Sequence, residues 1–377
     1  MHILIAPNAF KNSLDALKAA ECIRVGLQKS GLAFNSTLFP VGDGGDGTAF
    51  LLEQRLGASA ISLKVDDPLG RKIDSSFGWL EKSKTAIVEL ANASGLRLLK
   101  PSEYDPLHAN TRGTGETILS ALDQGAIKIV LCIGGSATID GAAGILAALG
   151  IRFLNGGRSR IFELPRQLDL LASVDISSLD RRLGNTEIVV LCDVKNQLLG
   201  EEGAAKIFGP QKGAGPSEIL ILESCLAQLA RITQVQTGID MRTLQFGGAA
   251  GGVAAGLAGY LGANLVNGID YFLDSTGFDE ELEKADLVIT GEGMLDLQTL
   301  QGKAPYGVAV HAKKKLIPVI AFAGMIEQDD RQALSAYFDE LIEINSRPID
   351  LEYAIKNASL NLEQAAMYIG IELAKRN

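Results

Sequence analysis

Residues 1–14 read Met1-His2-Ile3-Leu4-Ile5-Ala6-Pro7-Asn8-Ala9-Phe10-Lys11-Asn12-Ser13-Leu14, and the order of residue types in them decides the fold. A short apolar run over residues 3–6 meets a proline and gives way to a polar loop. Leu14, Leu17, Ile23 and Leu27 then recur at a helical period. The unit is strand, loop, helix. Further runs rich in Val and Ile at 37–41, 129–133, 188–192, 287–290 and 319–322 are each followed by a small or acidic loop. Repeated units of this kind predict an α/β fold with a largely parallel sheet, whose strands are apolar throughout because helices cover both faces. In such sheets ligands bind at the carboxyl ends of the strands. The unusual loops of this chain lie there.

The chain has 377 residues, more than one hydrophobic core ordinarily fills (roughly 250–300 residues), so two domains are expected. Between about residues 61 and 90 the pattern changes to short alternating segments joined by turns. Asp67-Pro68-Leu69-Gly70 has Asp first, Pro second and Gly fourth, which suits a type I turn. An antiparallel ribbon therefore opens a second domain. The run at 317–322 resumes the parallel pattern, so the second domain is expected as an insertion, with residues 1–63 and 280–377 forming one domain and 64–279 the other.

The formal net charge is −10 and no Lys/Arg-rich run is present, which argues against nucleic acid as a partner. Cys22, Cys132, Cys192 and Cys225 form no CxxC pair and read as buried free thiols of a reducing compartment. The N-terminus lacks the basic and long apolar regions of a signal peptide, and no apolar stretch is long enough to span a bilayer. The expected location is the cytoplasm, with no membrane contact.

Several loops concentrate chemistry. In 7–13, Asn12 or Ser13 is expected to cap the following helix, Asp15 suits its first turn, and Lys11 with free N–H groups makes an anion site. Gly42-Asp43-Gly44-Gly45-Asp46-Gly47-Thr48 matches GxGxxG formally, with Asp66 and Asp67 downstream as in a dinucleotide fingerprint. Its two carboxylates would repel a pyrophosphate, and suit Mg²⁺ or substrate hydroxyls better. A purely structural glycine turn is the third reading. In 134–141, Ser136 and Thr138 offer hydroxyls to phosphate oxygens, and 291–299 groups Glu292, Asp296 and Gln298 near Lys303. Asp193, past the 188–192 run, is followed by Asn196. Six carboxylates (Asp43, Asp46, Asp140, Asp193, Glu292 and Asp296) thus fall at strand ends. The three histidines show no metal-ligand spacing, and neither GxSxG, a Walker A loop nor protein-kinase motifs are present.

Taken in order, residues 6–14, Asp43-Gly44-Gly45-Asp46-Gly47-Thr48, Gly134-Gly135-Ser136-Ala137-Thr138, Cys192-Asp193-Val194, Phe208-Gly209-Pro210-Gln211-Lys212-Gly213 and 291–299 resemble the successive signatures of the bacterial glycerate kinase family. The resemblance implies a flavodoxin-like parallel-sheet domain with a restriction-endonuclease-like α/β domain inserted, and an active site in the cleft between them. It implies Mg-ATP-dependent phosphorylation of D-glycerate, generally to 2-phosphoglycerate. The sequence departs from the usual pattern at Asn8 (commonly Asp), Asn12 (Gly), Asp46 (Glu), Ile139 (Asn), Ala142 (Gly) and Met294 (Arg).

On that reading ATP and Mg²⁺ are the expected cofactors. Asp193 is the expected base, and Lys11 and Lys212 neutralise phosphate or carboxylate. Asp43, Asp46, Arg71 and Asn196 are expected to bind substrate, with Asp43 and Asp46 as metal ligands. Ser136, Thr138, Glu292, Asp296, Gln298 and Lys303 are expected to bind nucleotide. The sequence leaves open a 3-phosphoglycerate product or a related hydroxy acid as acceptor, a dinucleotide-dependent oxidoreductase, and a non-catalytic sugar-acid sensor. It is compatible with a homo-oligomer.

Overall fold

A computed structural model describes residues 1–345 and 350–376. In chain order the strands are β1 (His2–Ile5), β2 (Asn35–Leu38), β3 (Ser59–Asp66), β4 (Lys72–Leu80), β5 (Thr85–Glu89), β6 (Lys128–Cys132), β7 (Arg152–Asn155), β8 (Leu171–Asp175), β9 (Glu187–Cys192), β10 (Asn264–Asn267), β11 (Leu287–Leu295), β12 (Val319–Ile326) and β13 (Glu340–Glu343). The chain divides into two units, residues 1–43 with 269–377, and residues 44–268.

The first unit carries a five-stranded sheet ordered β2-β1-β11-β12-β13, with every pairing parallel. Counted within the unit, this is the doubly wound order 2-1-3-4-5 of flavodoxin-like folds, and the order reverses between β1 and β11. Ile3, Leu4 and Ile5 stand in register with Leu287, Val288 and Ile289, and all six are buried. Full burial of one such side chain stabilises the fold by about 1.5–3 kcal/mol. Helix Ala16–Lys29 follows β1 and lies against the terminal helix Leu351–Arg376. Gly26 permits that approach, since a Cβ there would stand 2.2 Å from the Glu363 carbonyl oxygen. The first helix is capped by Asp15, whose carboxylate accepts from Lys18 N at 2.7 Å. The cap expected at Asn12 or Ser13 therefore moves. Asn12 instead takes a left-handed conformation (φ 67°), and the Ser13 hydroxyl donates to Phe10 O at 2.9 Å.

The second unit carries a six-stranded sheet ordered β10-β9-β6-β5-β4-β3. Its first four strands are parallel, and β4 and β3 form the antiparallel ribbon at one edge. Asp67 N donates to Arg71 O at 2.7 Å and Gly70 N to Asp67 O at 3.0 Å, closing the ribbon with Gly70 at φ 84°. Strands β7 and β8 pair separately. The core of this unit runs from Phe77 and Trp79 through Ile129, Leu131 and Val190 to Leu226 and Val253.

Two boundaries differ from those expected. The first falls after residue 43 and not after 63, and the second after 268 and not after 279. Helix Thr48–Leu56 and β3 belong to the second unit because Glu53 packs over Gly78 of β4 (a Cβ there would stand 2.4 Å from Glu53 Cγ) and β3 pairs with β4 along its length. Ile269 packs on Gly307, whose helix Ala304–Lys314 belongs to the first unit. The stretch expected as a loop after residue 290 also differs. Strand β11 continues to Leu295, pairing Glu292 with Ala323 and Met294 with Met325. Gly291 allows this, because any Cβ there would stand 2.3 Å from Phe322 O.

Candidate active site

In the first unit, the carboxyl ends of β1 and β11 bring together Asn8, Asp43, Glu292, Asp296, Thr299 and Lys303. Asn8 N donates to Gly291 O at 2.8 Å, which ties the loop after β1 to β11. The Asn8 side chain accepts from Ala9 N at 2.8 Å and donates to Asp43 Oδ2 at 3.1 Å. Glu292 is buried and accepts from the Thr299 hydroxyl at 2.8 Å. Burial pushes its carboxyl up to about 7; Asp43 adds to the rise, while Lys303 and the Thr299 bond oppose it. Asp296 Oδ1 accepts from Thr299 N at 3.0 Å and lies 3.8 Å from Lys303 Nζ. Lys11 and Gln298 are exposed.

The second unit holds the rest of the glycine-rich loop, from Gly44 onward. Gly44 N donates to the Thr48 hydroxyl at 3.1 Å, and Gly134 N donates to Gly44 O at 2.9 Å. The loops around 45 and 134 meet backbone to backbone, since a Cβ on Gly134 would stand 2.4 Å from Gly45 Cα. Glu89, at the end of β5, accepts from Gly47 N at 3.2 Å and Ala49 N at 2.9 Å. These are N–H groups that a pyrophosphate would take in a dinucleotide fold. A buried carboxylate already fills that place, so the GxGxxG match does not describe a phosphate cradle. Asp46 is ion-paired with Arg97 Nε at 3.3 Å.

Beside that loop, Lys212 Nζ donates to Ser136 Oγ at 2.7 Å and to Thr138 O at 2.8 Å. Lys212 is 3% exposed. Burial lowers its ammonium to about 7, against the pull of Asp140 and Asp193. The Thr138 hydroxyl is buried and has no hydrogen-bond partner among the described residues. Such an orphan costs about 1–3 kcal/mol, which a ligand oxygen would recover. Gly251 makes room here, because a Cβ on it would stand 2.1 Å from Thr138 O. Asp140 is committed to structure: it accepts from Thr111 N at 2.8 Å, Thr111 Oγ1 at 2.7 Å, Ala142 N at 3.1 Å and Gly144 N at 3.0 Å. Asp193 follows β9 and is partly exposed.

Two candidates are engaged elsewhere. Arg71 donates to Asp67 Oδ2 at 2.5 Å and to Glu103 Oε1 at 2.6 Å, which fixes it on the ribbon turn. Asn196 donates to Glu202 O at 2.9 Å, and its carbonyl receives Gly248 N at 2.9 Å, so it ties its own loop. Sequence reasoning missed Glu89 and Thr299. A lone carboxylate within the apolar run Ile87-Val88-Glu89-Leu90 was the available signal for the first. Thr299 lay inside the 291–299 motif but was assigned no role.

Among the described residues no three His, Cys, Asp or Glu side chains converge as a metal cluster. Mg²⁺ ordinarily takes one or two carboxylates and fills its shell with water and phosphate oxygens. Asp43, an oxygen ligand beside a Glu292 whose ionisation its like charge disfavours, fits that pattern. Asp46 fits it less well, because Arg97 already neutralises it.

Fold and strand-end chemistry together define a two-domain α/β enzyme. Residues 3–373 match the model of the glycerate kinase family. The chain is 42% identical over 377 residues to a glycerate kinase of Bacillus subtilis strain 168, covering 100% of this chain and 99% of the relative. It is 39% identical over 378 residues to a glycerate 2-kinase of Escherichia coli K12, covering 99% and 98%. A crystal structure of a candidate glycerate kinase 2 from Salmonella typhimurium LT2 superposes with a TM-score of 0.81 at 40% identity, covering 100% of this chain and 99% of that one. The chain belongs to the glycerate kinase family.

Proposed function

We propose that the protein transfers the γ-phosphoryl group of Mg-ATP to the 2-hydroxyl of D-glycerate. The observation that carries this reading is the full-length 39% identity to a relative named as a glycerate 2-kinase. The strand-end residues supply what the reaction needs. Asp193 takes the proton from the acceptor hydroxyl, whose oxygen forms a bond to the γ-phosphorus as the bond to the β–γ bridging oxygen breaks and ADP departs. Lys212 holds Ser136 and the Thr138 carbonyl in place. The Ser136 and Thr138 hydroxyls donate to phosphate oxygens, and Lys11 neutralises charge from an exposed position. Glu292, Asp296, Gln298 and Lys303 bind the nucleotide. Asp43 is the first candidate to hold Mg²⁺, which supplies charge neutralisation on the phosphates; Asp46 contacts Mg²⁺ or the substrate hydroxyls.

Arg71 and Asn196 bind substrate in this account only by giving up the bonds described above, so they are its weakest members. Met294, half-exposed where the family commonly has Arg, removes a cation beside the proposed nucleotide residues. Weaker nucleotide or product binding is the expected consequence, with a related hydroxy acid as acceptor the alternative reading. The four buried cysteines suit a cytoplasmic location. The test is ADP release by the purified protein with Mg-ATP, with and without D-glycerate. Release that depends on D-glycerate supports the proposal, and its absence from folded protein overturns it.

A further inference from the structure

We infer that Glu89 is a positioning residue for phosphoryl transfer: it anchors the loop at 44–48 and, through it, Asp46. The inference rests on the kinase reading above and adds a residue that none of the sequence motifs contains. Glu89 ends β5 among Ile87, Val88 and Leu90, each no more than 1% exposed, and is itself 4% exposed. A carboxylate in such a place is costly unless its oxygens are used. Both are used. One accepts from Gly47 N and the other from Ala49 N, at the start of helix Thr48–Leu56.

That helix start has no cap of its own. Gly47 has no side chain and sits at φ 91°. A Ser or Asp there would satisfy one N–H locally, and the loop would remain independent of the sheet. Capping from β5 ties the loop to a buried strand at two points, which fixes its rotation as well as its position. Other ties come from partners of other kinds. Arg97, half-exposed, holds Asp46 Oδ2 while its Nη2 donates to Asn92 Oδ1 at 2.5 Å, and Gly134 N holds Gly44 O. Glu89 ties the loop from a buried side chain on a strand. Burial pushes the Glu89 carboxyl up, the like charge of Asp46 adds to the rise, and the two N–H donors oppose it.

Glu89→Gln keeps the volume but cannot accept both N–H groups. In the full-length enzyme, kcat per folded molecule should fall at least ~10-fold with the KM for ATP within about twofold, as expected for a small displacement of a reacting group. Asp46→Asn added to it should cost no more than Asp46→Asn alone, because the two act as one unit. Glu89→Asp, too short to reach both donors, should not rescue. Wild-type kcat in folded Glu89→Gln, or losses that multiply in the double variant, would overturn the inference. Amide exchange gives a readout independent of turnover. In Glu89→Ala, Gly47 and Ala49 should exchange at least ~10-fold faster while the amides of β6 are unchanged. Unchanged exchange at those two residues overturns the anchor whatever the acceptor proves to be, whereas wild-type protein silent with D-glycerate overturns the kinase reading alone.

Discussion

Lys212 Nζ donates to the Ser136 hydroxyl oxygen at 2.7 Å, joining a one-turn helix (Pro210–Lys212) to the loop after β6 across 76 residues of sequence. The ammonium is buried, so its charge is a liability that the fold retains. Its ionisation lies near 7 and not at its ordinary 10.5. Between those values the unfolded chain binds more protons than the folded one, so this group makes stability rise with pH from about 7 to about 10.5. The full cost of burying the ammonium is present below 7. Lys212→Met should remove that rise, read as the difference in unfolding free energy between wild type and variant across the window. Above pH 7, ATP binding should be accompanied by proton uptake in wild type and not in the variant, measured by calorimetry in buffers of different ionisation heat.

Asp193→Asn should lower kcat at least about 10²-fold if the carboxylate takes the hydroxyl proton. The KM for ATP should change little, because the variant keeps the size and polarity of the side chain. Steady-state kinetics on variant protein with a wild-type melting profile decides the matter, and unchanged turnover removes Asp193 from the role.

Asp140 stood beside Asp193 among the strand-end carboxylates, yet its four accepted hydrogen bonds give it a structural task. Asp140→Ala strands those donors in a fully buried place. The expected loss is at least about 3 kcal/mol, measured by urea unfolding.

Gly134→Ala should destabilise by about 1–3 kcal/mol, because the new methyl meets backbone that cannot swing away. The Cβ would stand 2.4 Å from Gly45 Cα. Activity should fall as well, since the displaced loops carry Asp46 and Ser136. Gly184→Ala is the control: nothing lies within 4 Å of a Cβ there, and its melting temperature should stay close to wild type.

The parallel α/β character was legible because buried strands write themselves as Val/Ile runs. The carboxyl-end loops followed from it. What was not legible depends on contacts made far along the chain. Residues 44–63 look like a continuation of the first domain: the turn at 67–70 announces the ribbon, but nothing local announces that β3 begins at Ser59 or that helix Thr48–Leu56 packs on β4. Gly291-Glu292-Gly293 reads as a loop, yet it is strand because Phe322 of β12 needs the space a side chain would fill. Arg71 is expected from the sequence to bind substrate. Asp67, buried at 2% exposure, and Glu103 claim it. Lys212 was legible through Gly209-Pro210-Gln211-Lys212-Gly213, although its burial was not. Ala142 and Asn12, which stand where the family commonly has Gly, both take left-handed conformations (φ 66° and 67°).

The proposed reaction is phosphoryl transfer to the 2-hydroxyl of D-glycerate. Its most direct test is an assay of purified protein with Mg-ATP and D-glycerate, coupled to enolase without a mutase, with ADP followed in parallel. ADP release should be matched by an enolase signal. ADP release with no enolase signal would move the phosphoryl group to another hydroxyl, and no ADP release from folded protein would contradict the account.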